Sequence, residues 1–453
     1  MKKVISVVLA LSLAIGIFCG CGRKDTVLNV HVEGAVFGAE AGKTVDESVK
    51  FNADWLAKGN NKKYNGDLAQ FAAIISADTY FRDKDLQKGT QNRVIIDGND
   101  PEKYDRAQLL TGFGFTDVKF VESFREKEYT ADTNDSVTMT LGYMADEKND
   151  IFTVAIRGCF SVQEWVSVFD PGADSDGYAI ATGEHAEWKN KDHFKGVDIA
   201  AERAKTFIDE FVKMHDRDGK KNSILFTGHS RGALIANVLG AFYEKNSDAK
   251  TYTYTFNCMP VTLSSDAADY KTIFNVLDPN DFYVDTLPFG EETFKRYGRD
   301  VTGKVSDGAL SDADKAKYAE MFGKLFPDRI SLYENNVIVK TYENAEDLEK
   351  ATAEFAAIVG AEGLALEPLC TVTAMQGEGG EGPFELVVKY NGGALLIAFA
   401  KILAYGEAAH GAVVSLFAEK PEAVEIADFL FDNAAKINAG HLLKNTFELA
   451  GAK

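Results

Sequence analysis

Five residues constrain this chain more than any other feature: Gly228-His229-Ser230-Arg231-Gly232. They follow an apolar stretch, 223–227, that reads as a short buried strand, and they precede 233–242, whose spacing predicts a helix. A serine held between strand and helix by so little chain must sit on a tight turn with its hydroxyl raised above the sheet. The flanking glycines fit that turn, because a Cβ at either would collide with the neighbouring strand or helix.

The surrounding pattern agrees with a layered α/β arrangement. Leu68, Phe71, Ala72, Ile75 and Ala77 predict a helix over 68–80. Val137, Met139, Leu141 and Tyr143 alternate along a half-buried strand, a polar turn follows at 146–150, and 151–156 is apolar enough for a central strand. An amphipathic helix over 199–214, a turn at 216–222 and strands over 251–258 and 273–277 continue the alternation. Strands alternating with helices of this length predict a mostly parallel central sheet covered on both faces. After about residue 296 the chain becomes charged and alanine-rich, with one hairpin-like piece near Val337 and Val339. It reads as a mainly helical insertion or cap over 296–438, between a core at 65–295 and a final core segment at 439–453.

The N-terminus has an export pattern. Lys2 and Lys3 precede an apolar run over 4–18, which suits a signal peptide and is short for a membrane span. Cys19-Gly20-Cys21-Gly22-Arg23 resembles the lipobox of bacterial lipoproteins. That resemblance implies a signal peptide at 1–20, cleavage before Cys21 and a lipid anchor on Cys21, with Cys19 the weaker choice. Residues 21–64, polar with scattered valines, read as a lipid-anchored tether and N-terminal extension. The chain is then a lipoprotein of the cell membrane or cell surface. The competing reading is an ordinary secretory signal with incidental cysteines. The run Gly392–Tyr405 contains Lys401 and is too short to span a bilayer, so it reads as a buried helix.

Cys159, Cys258 and Cys370 remain, an odd and small number that makes no disulfide framework. A net charge of −20 argues against nucleic acid as a partner. No His/Cys/Asp cluster has metal-ligand spacing, so neither a metal nor a cofactor is expected.

A serine raised on such a turn needs a base, and the base an orienting carboxylate, in the order Ser, Asp, His. Asp278, Asp281 and Asp285 all lie in the loop after the strand over 273–277, and spacing does not separate them. Only His410 and His441 lie further on.

These motifs resemble the class 3 lipases. Val154-Ala-Ile-Arg-Gly-Cys159 is similar to the family's strand ending in Arg-Gly-Thr or Arg-Gly-Ser, and Thr227-Gly-His-Ser-Arg-Gly232 matches its serine turn. His193-Phe-Lys-Gly196 is similar to its His-x-Gly-Phe, and the strand at 253–260 to the family's next strand. Asn280-Asp281-Phe-Tyr-Val284 resembles the segment holding its acid, and Gly440-His441-Leu-Leu-Lys-Asn-Thr446-Phe447 the segment holding its base. The resemblance implies an α/β-hydrolase fold; the long stretch between Asp281 and His441 departs from the family and reads as a large, mainly helical insertion that returns the C-terminal histidine to the site. The resemblance also implies catalytic Ser230, Asp281 and His441, with an oxyanion hole at Cys159 and Arg231. Val162, Trp165, Val166 and Phe169 share one face of a short helix where the family has its lid, and are the candidate lid. Cys159 departs from the family pattern: its thiol is a weaker donor than the usual hydroxyl, although the backbone N–H is kept.

The expected function is hydrolysis of a carboxylic ester or lipid through an acyl-enzyme. The same triad serves thioesterases and amidases, because the serine turn does not select the leaving group. From another class, an inactive hydrolase fold could serve a surface lipoprotein for binding.

Overall fold

The computed structural model describes residues 24–40, 42–81, 92–124, 136–159, 164, 192–285, 294–303, 310–327, 331, 335–360, 370–377 and 382–452. Strands β1 (Thr26–Glu33), β2 (Thr44–Phe51) and β3 (Arg93–Ile96) form a small antiparallel sheet in the order β2-β1-β3. The main sheet has seven strands, β4 (Asp117–Phe124), β5 (Ser136–Ala145), β6 (Asn149–Ile156), β7 (Lys221–His229), β8 (Lys250–Phe256), β9 (Ile273–Leu277) and β10 (Arg299–Thr302). They lie side by side in reverse chain order, antiparallel from β4 to β6 and parallel from β6 to β10. A second antiparallel sheet, β11 (Asn335–Tyr342), β12 (Cys370–Gln376) and β13 (Phe384–Asn391), has the order β11-β13-β12.

The period-two pattern explains why the parallel strands are apolar throughout: each feeds two cores. On one face Phe152, Val154 and Ile156 of β6 join Ile224 and Phe226 of β7. There they meet the helices Lys195–His215 and Arg231–Asn246. On the other face Ile151, Ala155, Leu225, Tyr254 and Phe256 pack with the helix Gly66–Asp78, the small sheet and the C-terminal helix Leu443–Gly451. Phe71 lies under this face, stacked on Phe51 at 4.2 Å between centroids and edge-on to Phe113 at 5.0 Å.

Two expectations change. Thr26–Glu33 and Thr44–Phe51 are not parts of a tether but two paired strands, with Val30, Val32, Val49 and Phe51 buried. Their outer residues face solvent, so half of each strand is polar and the stretch reads as hydrophilic. The boundary at 296 also moves, because Arg299–Thr302 is the edge strand of the main sheet, parallel to β9. The following segment carries the helices Asp312–Leu325, Ala345–Val359, Gly392–Tyr405, Glu407–Leu416 and Pro421–Gly440 besides its three-stranded sheet. In Gly392–Tyr405 the Lys401 side chain is buried with its ammonium over the Tyr405 ring. Among the described residues no helix is long and apolar enough to cross a membrane.

Candidate active site

β7 ends at His229, and the chain reverses into the helix Arg231–Asn246 through Ser230, which has φ 57° and ψ −127°. That conformation is unfavourable for a residue with a Cβ. It is held by Ser230 N–H donating to the Phe256 carbonyl at 3.1 Å and by the Ser230 carbonyl accepting from Ala233 and Leu234. A Cβ on Gly228 would lie 2.3 Å from the Gly232 oxygen, and one on Gly232 would lie 2.1 Å from the Ile156 oxygen. The first glycine lets the helix start close to β7, and the second lets it cross the end of β6.

The loop after β9 is shaped by Asn257, itself at φ 49°, whose side-chain oxygen accepts from the Asp278 N–H at 3.1 Å. Asp278 then accepts from the Asn280 N–H and, through its carbonyl, from the Asp281 N–H. Asp281 is fully buried, and one carboxylate oxygen accepts from the Tyr283 N–H at 2.9 Å. The other lies 2.7 Å from His441 Nδ1. His441 terminates the helix Pro421–Gly440, and its Nε2 lies 3.0 Å from Ser230 Oγ. Because a carboxylate only accepts, Nδ1 carries the ring proton and Nε2 presents its lone pair to the hydroxyl. The Tyr283 ring meets the imidazole edge-on at 4.7 Å. A hydroxyl, imidazole and carboxylate in this line can pass the hydroxyl proton to the ring while the carboxylate holds the tautomer and stabilises the resulting cation.

The rivals stand elsewhere. Asp278 accepts from the Asn445 side chain at 2.7 Å, and burial pushes its carboxyl above the ordinary range. Asp285 ends the short helix Phe282–Asp285. His410, on the helix Glu407–Leu416, pairs with Asp428 at 2.8 Å and stacks on Phe431. His193 is buried between Asp198, in the first turn of the helix Lys195–His215, and Tyr297, 2.6 and 2.8 Å away.

Cys159, half-buried, follows the end of β6, and Arg231 opens the helix after Ser230, its side chain buried. The strand end runs directly beside the serine turn, since a Cβ on Gly158 would lie 2.8 Å from the His229 carbonyl oxygen. Burial pushes the Tyr80 and Tyr283 phenols up, and the neighbouring Cys159 adds to both. The candidate lid residues Val162, Trp165, Val166 and Phe169 and the anchor Cys21 lie outside the described residues. Glu164 is buried and pairs with Arg157 at 2.9 Å. Among the described residues no group of three or more His, Cys, Asp or Glu is placed to hold a metal.

His229 and Tyr80, to which the residue pattern assigns no role, hydrogen-bond to each other beside the site. A histidine inside the serine motif was the available signal.

No family model matches the chain, and no curated protein matches it by sequence. Among solved structures it is similar to the Rhizomucor miehei triacylglyceride lipase, with 16% identity and a TM-score of 0.31, covering 52% of this chain and 79% of that one. It is also similar to the mono- and diacylglycerol lipase of Aspergillus oryzae, with 17% identity and a TM-score of 0.34, over 56% and 85% of the two chains. A triacylglycerol lipase of Penicillium expansum gives 15% identity and a TM-score of 0.31, over 53% and 82%.

Proposed function

We propose that the protein is an exported carboxylic ester hydrolase, lipase- or esterase-like, acting through an acyl-enzyme on Ser230. The observation that carries this reading is the line from Ser230 Oγ to His441 Nε2 at 3.0 Å and from His441 Nδ1 to Asp281 Oδ2 at 2.7 Å. Both distances fall within the reach a general base needs. Ser230 Oγ attacks the acyl carbon as His441 takes its proton, and Asp281 stabilises the imidazolium. The negative charge on the former carbonyl oxygen is received by the backbone N–H groups of Cys159 and Arg231. His441 then protonates the departing alcohol, and a water molecule repeats the sequence to release the acid. Backbone donors are retained whatever the side chain at 159, so the thiol slows the reaction without abolishing it.

The same steps would release a thiol or an amine, and the ester assignment is the part that a substrate panel tests. Val162, Trp165, Val166 and Phe169 are the candidate lid residues in this reading. The basic and apolar N-terminus with Cys21 supplies a lipid anchor that holds the enzyme at the cell membrane or surface, near lipid or ester substrates. Two or more acyl chains give stable anchoring where one does not.

A fluorophosphonate probe and a series of p-nitrophenyl esters test the chemistry. One label per chain, lost with esterase activity in Ser230→Ala, is the expected result. A folded parent that takes no label and cleaves neither esters nor thioesters would instead leave a binding lipoprotein. Intact mass of the native product tests the anchor, which fails if the chain begins elsewhere without added acyl mass.

A further inference from the structure

Beneath the serine turn lies a buried pair that the chemistry above does not use. Tyr80 stands two residues beyond the helix Gly66–Asp78, and His229 directly precedes Ser230. The Tyr80 hydroxyl lies 2.9 Å from His229 Nδ1, and His229 Nε2 lies 3.0 Å from the backbone carbonyl oxygen of His441. We propose, resting on the triad reading, that Tyr80 and His229 are positioning residues whose hydrogen bonds and packing tie the base to the oxyanion loop.

The direction of every bond in the chain is fixed. A carbonyl oxygen only accepts, so His229 Nε2 carries the ring proton. In a neutral ring Nδ1 must then accept, and the Tyr80 hydroxyl donates to it. The Tyr80 oxygen in turn is packed against the backbone of Gly158. The line of contacts therefore runs from Gly158, packed on the Tyr80 oxygen, through the Tyr80–His229 hydrogen bond to the backbone of His441. One end is the residue before Cys159, and the other is the residue that bears the base.

The contact at Gly158 leaves no slack, since a Cβ there would lie 2.0 Å from the Tyr80 oxygen. Shifting either end thus displaces the other. The His229 and His441 ring centroids are 4.9 Å apart. A charged His229 would be a buried cation beside a base that must itself become cationic during turnover. Burial, followed by the charge of His441, holds the His229 pKa well below its ordinary value. The ring therefore stays neutral and keeps donating to the His441 carbonyl when His441 takes the serine proton.

The experiment compares Tyr80→Phe, His229→Leu and His229→Gln with the parent on a p-nitrophenyl ester. Rates are taken per active site titrated by a fluorophosphonate, below the lowest unfolding midpoint of the set. Tyr80→Phe removes one oxygen atom and keeps the ring, so it is the mildest change to the fold. His229→Gln retains a donor at nearly the position of Nε2, whereas His229→Leu has none. The expected result is a fall in kcat per titrated site on the order of 10- to 100-fold for Tyr80→Phe and His229→Leu, with KM within about twofold. His229→Gln should recover most of the His229→Leu loss. A purely structural pair would lower the number of titratable sites and leave kcat per site at the parent value, and that outcome overturns the proposal. A parent that is neither labelled nor active would instead defeat the triad reading.

Discussion

Ser230 combines a φ of 57° with a ψ of −127°, and the structure makes a stability prediction from that strain alone. The conformation costs a residue with a Cβ on the order of 1–3 kcal/mol, and glycine almost nothing. Ser230→Ala and Ser230→Gly both remove the hydroxyl and its hydrogen bond to His441, so their difference isolates the backbone term. At an ordinary position glycine is less stable than alanine by roughly 0.5–1 kcal/mol, because the unfolded chain gains freedom. Here the released strain outweighs that term, and Ser230→Gly should exceed Ser230→Ala by about 1 kcal/mol. Equilibrium urea unfolding of both variants, followed by far-ultraviolet circular dichroism, measures the difference. Neither should hydrolyse esters, so greater stability would accompany lost activity. If Ser230→Ala proves as stable as Ser230→Gly or more so, the turn does not store strain and the geometry drawn from it is wrong.

Three further outcomes are expected. His441→Ala should silence ester hydrolysis and His410→Ala should leave it near the parent rate, since His410 pairs with Asp428 away from Ser230; the reverse pattern in steady-state assays would reassign the base. Gly232→Ala places a Cβ 2.1 Å from the Ile156 oxygen, so the helix must move; a loss of about 1–3 kcal/mol in chemical denaturation and roughly 100-fold in kcat should follow, and a parent-like variant would refute the close approach. Asp78 is buried beside Tyr104, Arg106 and Asp105, and burial pushes its carboxyl up to about 7. A raised carboxyl stabilises the fold below its ordinary pKa and loses that contribution as pH rises through about 7. Asp78→Asn should therefore flatten the pH dependence of stability between about pH 4 and 7 and raise stability at pH 8 by no more than about 4 kcal/mol. An unchanged profile of unfolding midpoint against pH would show that Asp78 ionises normally.

The parallel half of the main sheet was legible because its strands bury both faces, so Ile224, Leu225 and Phe226 read as one apolar run. β1 and β2 were not, because only one face of each is covered: Asn29 and His31 alternate with Val30 and Val32, and Asp46 and Glu47 separate Val45 from Val49. β10 was invisible for a related reason: Arg299-Asp300-Val301-Thr302 is a short edge strand, mostly exposed, with nothing in its composition to distinguish it from loop. At the site, residue order sufficed to narrow the acid and base to a few candidates. Choosing Asp281 and His441 needed the resemblance, since Asp278 lies on the same loop and turns to Asn445. Tyr80 and His229 could not be paired from sequence, because 148 intervening residues fold before the two rings meet.

The separation of 160 positions between Asp281 and His441 would be troublesome if the intervening chain had to aim the histidine. The contacts say that it does not. Gly440 is pressed against the acid loop so closely that a Cβ would lie 2.4 Å from the Asn280 oxygen. Asn445 reaches Asp278, and the helix Leu443–Gly451 lies along the helix Gly66–Asp78 with Leu443, Phe447 and Ala450 buried. Gly66 and Gly451 allow that crossing, since a Cβ on Gly66 would meet the Ala450 oxygen at 2.7 Å and one on Gly451 would meet the Gln70 side chain at 2.4 Å. His441 is thus fixed by the core on both sides of its own residue. The entropic cost of closing a loop grows only with the logarithm of its length, so a long insertion adds little to the cost of a short one. What the insertion must do is return the chain at Gly440. Its final helix, Pro421–Gly440, does that through the tight contact with Asn280, and the serine, imidazole and carboxylate then meet without further help from it.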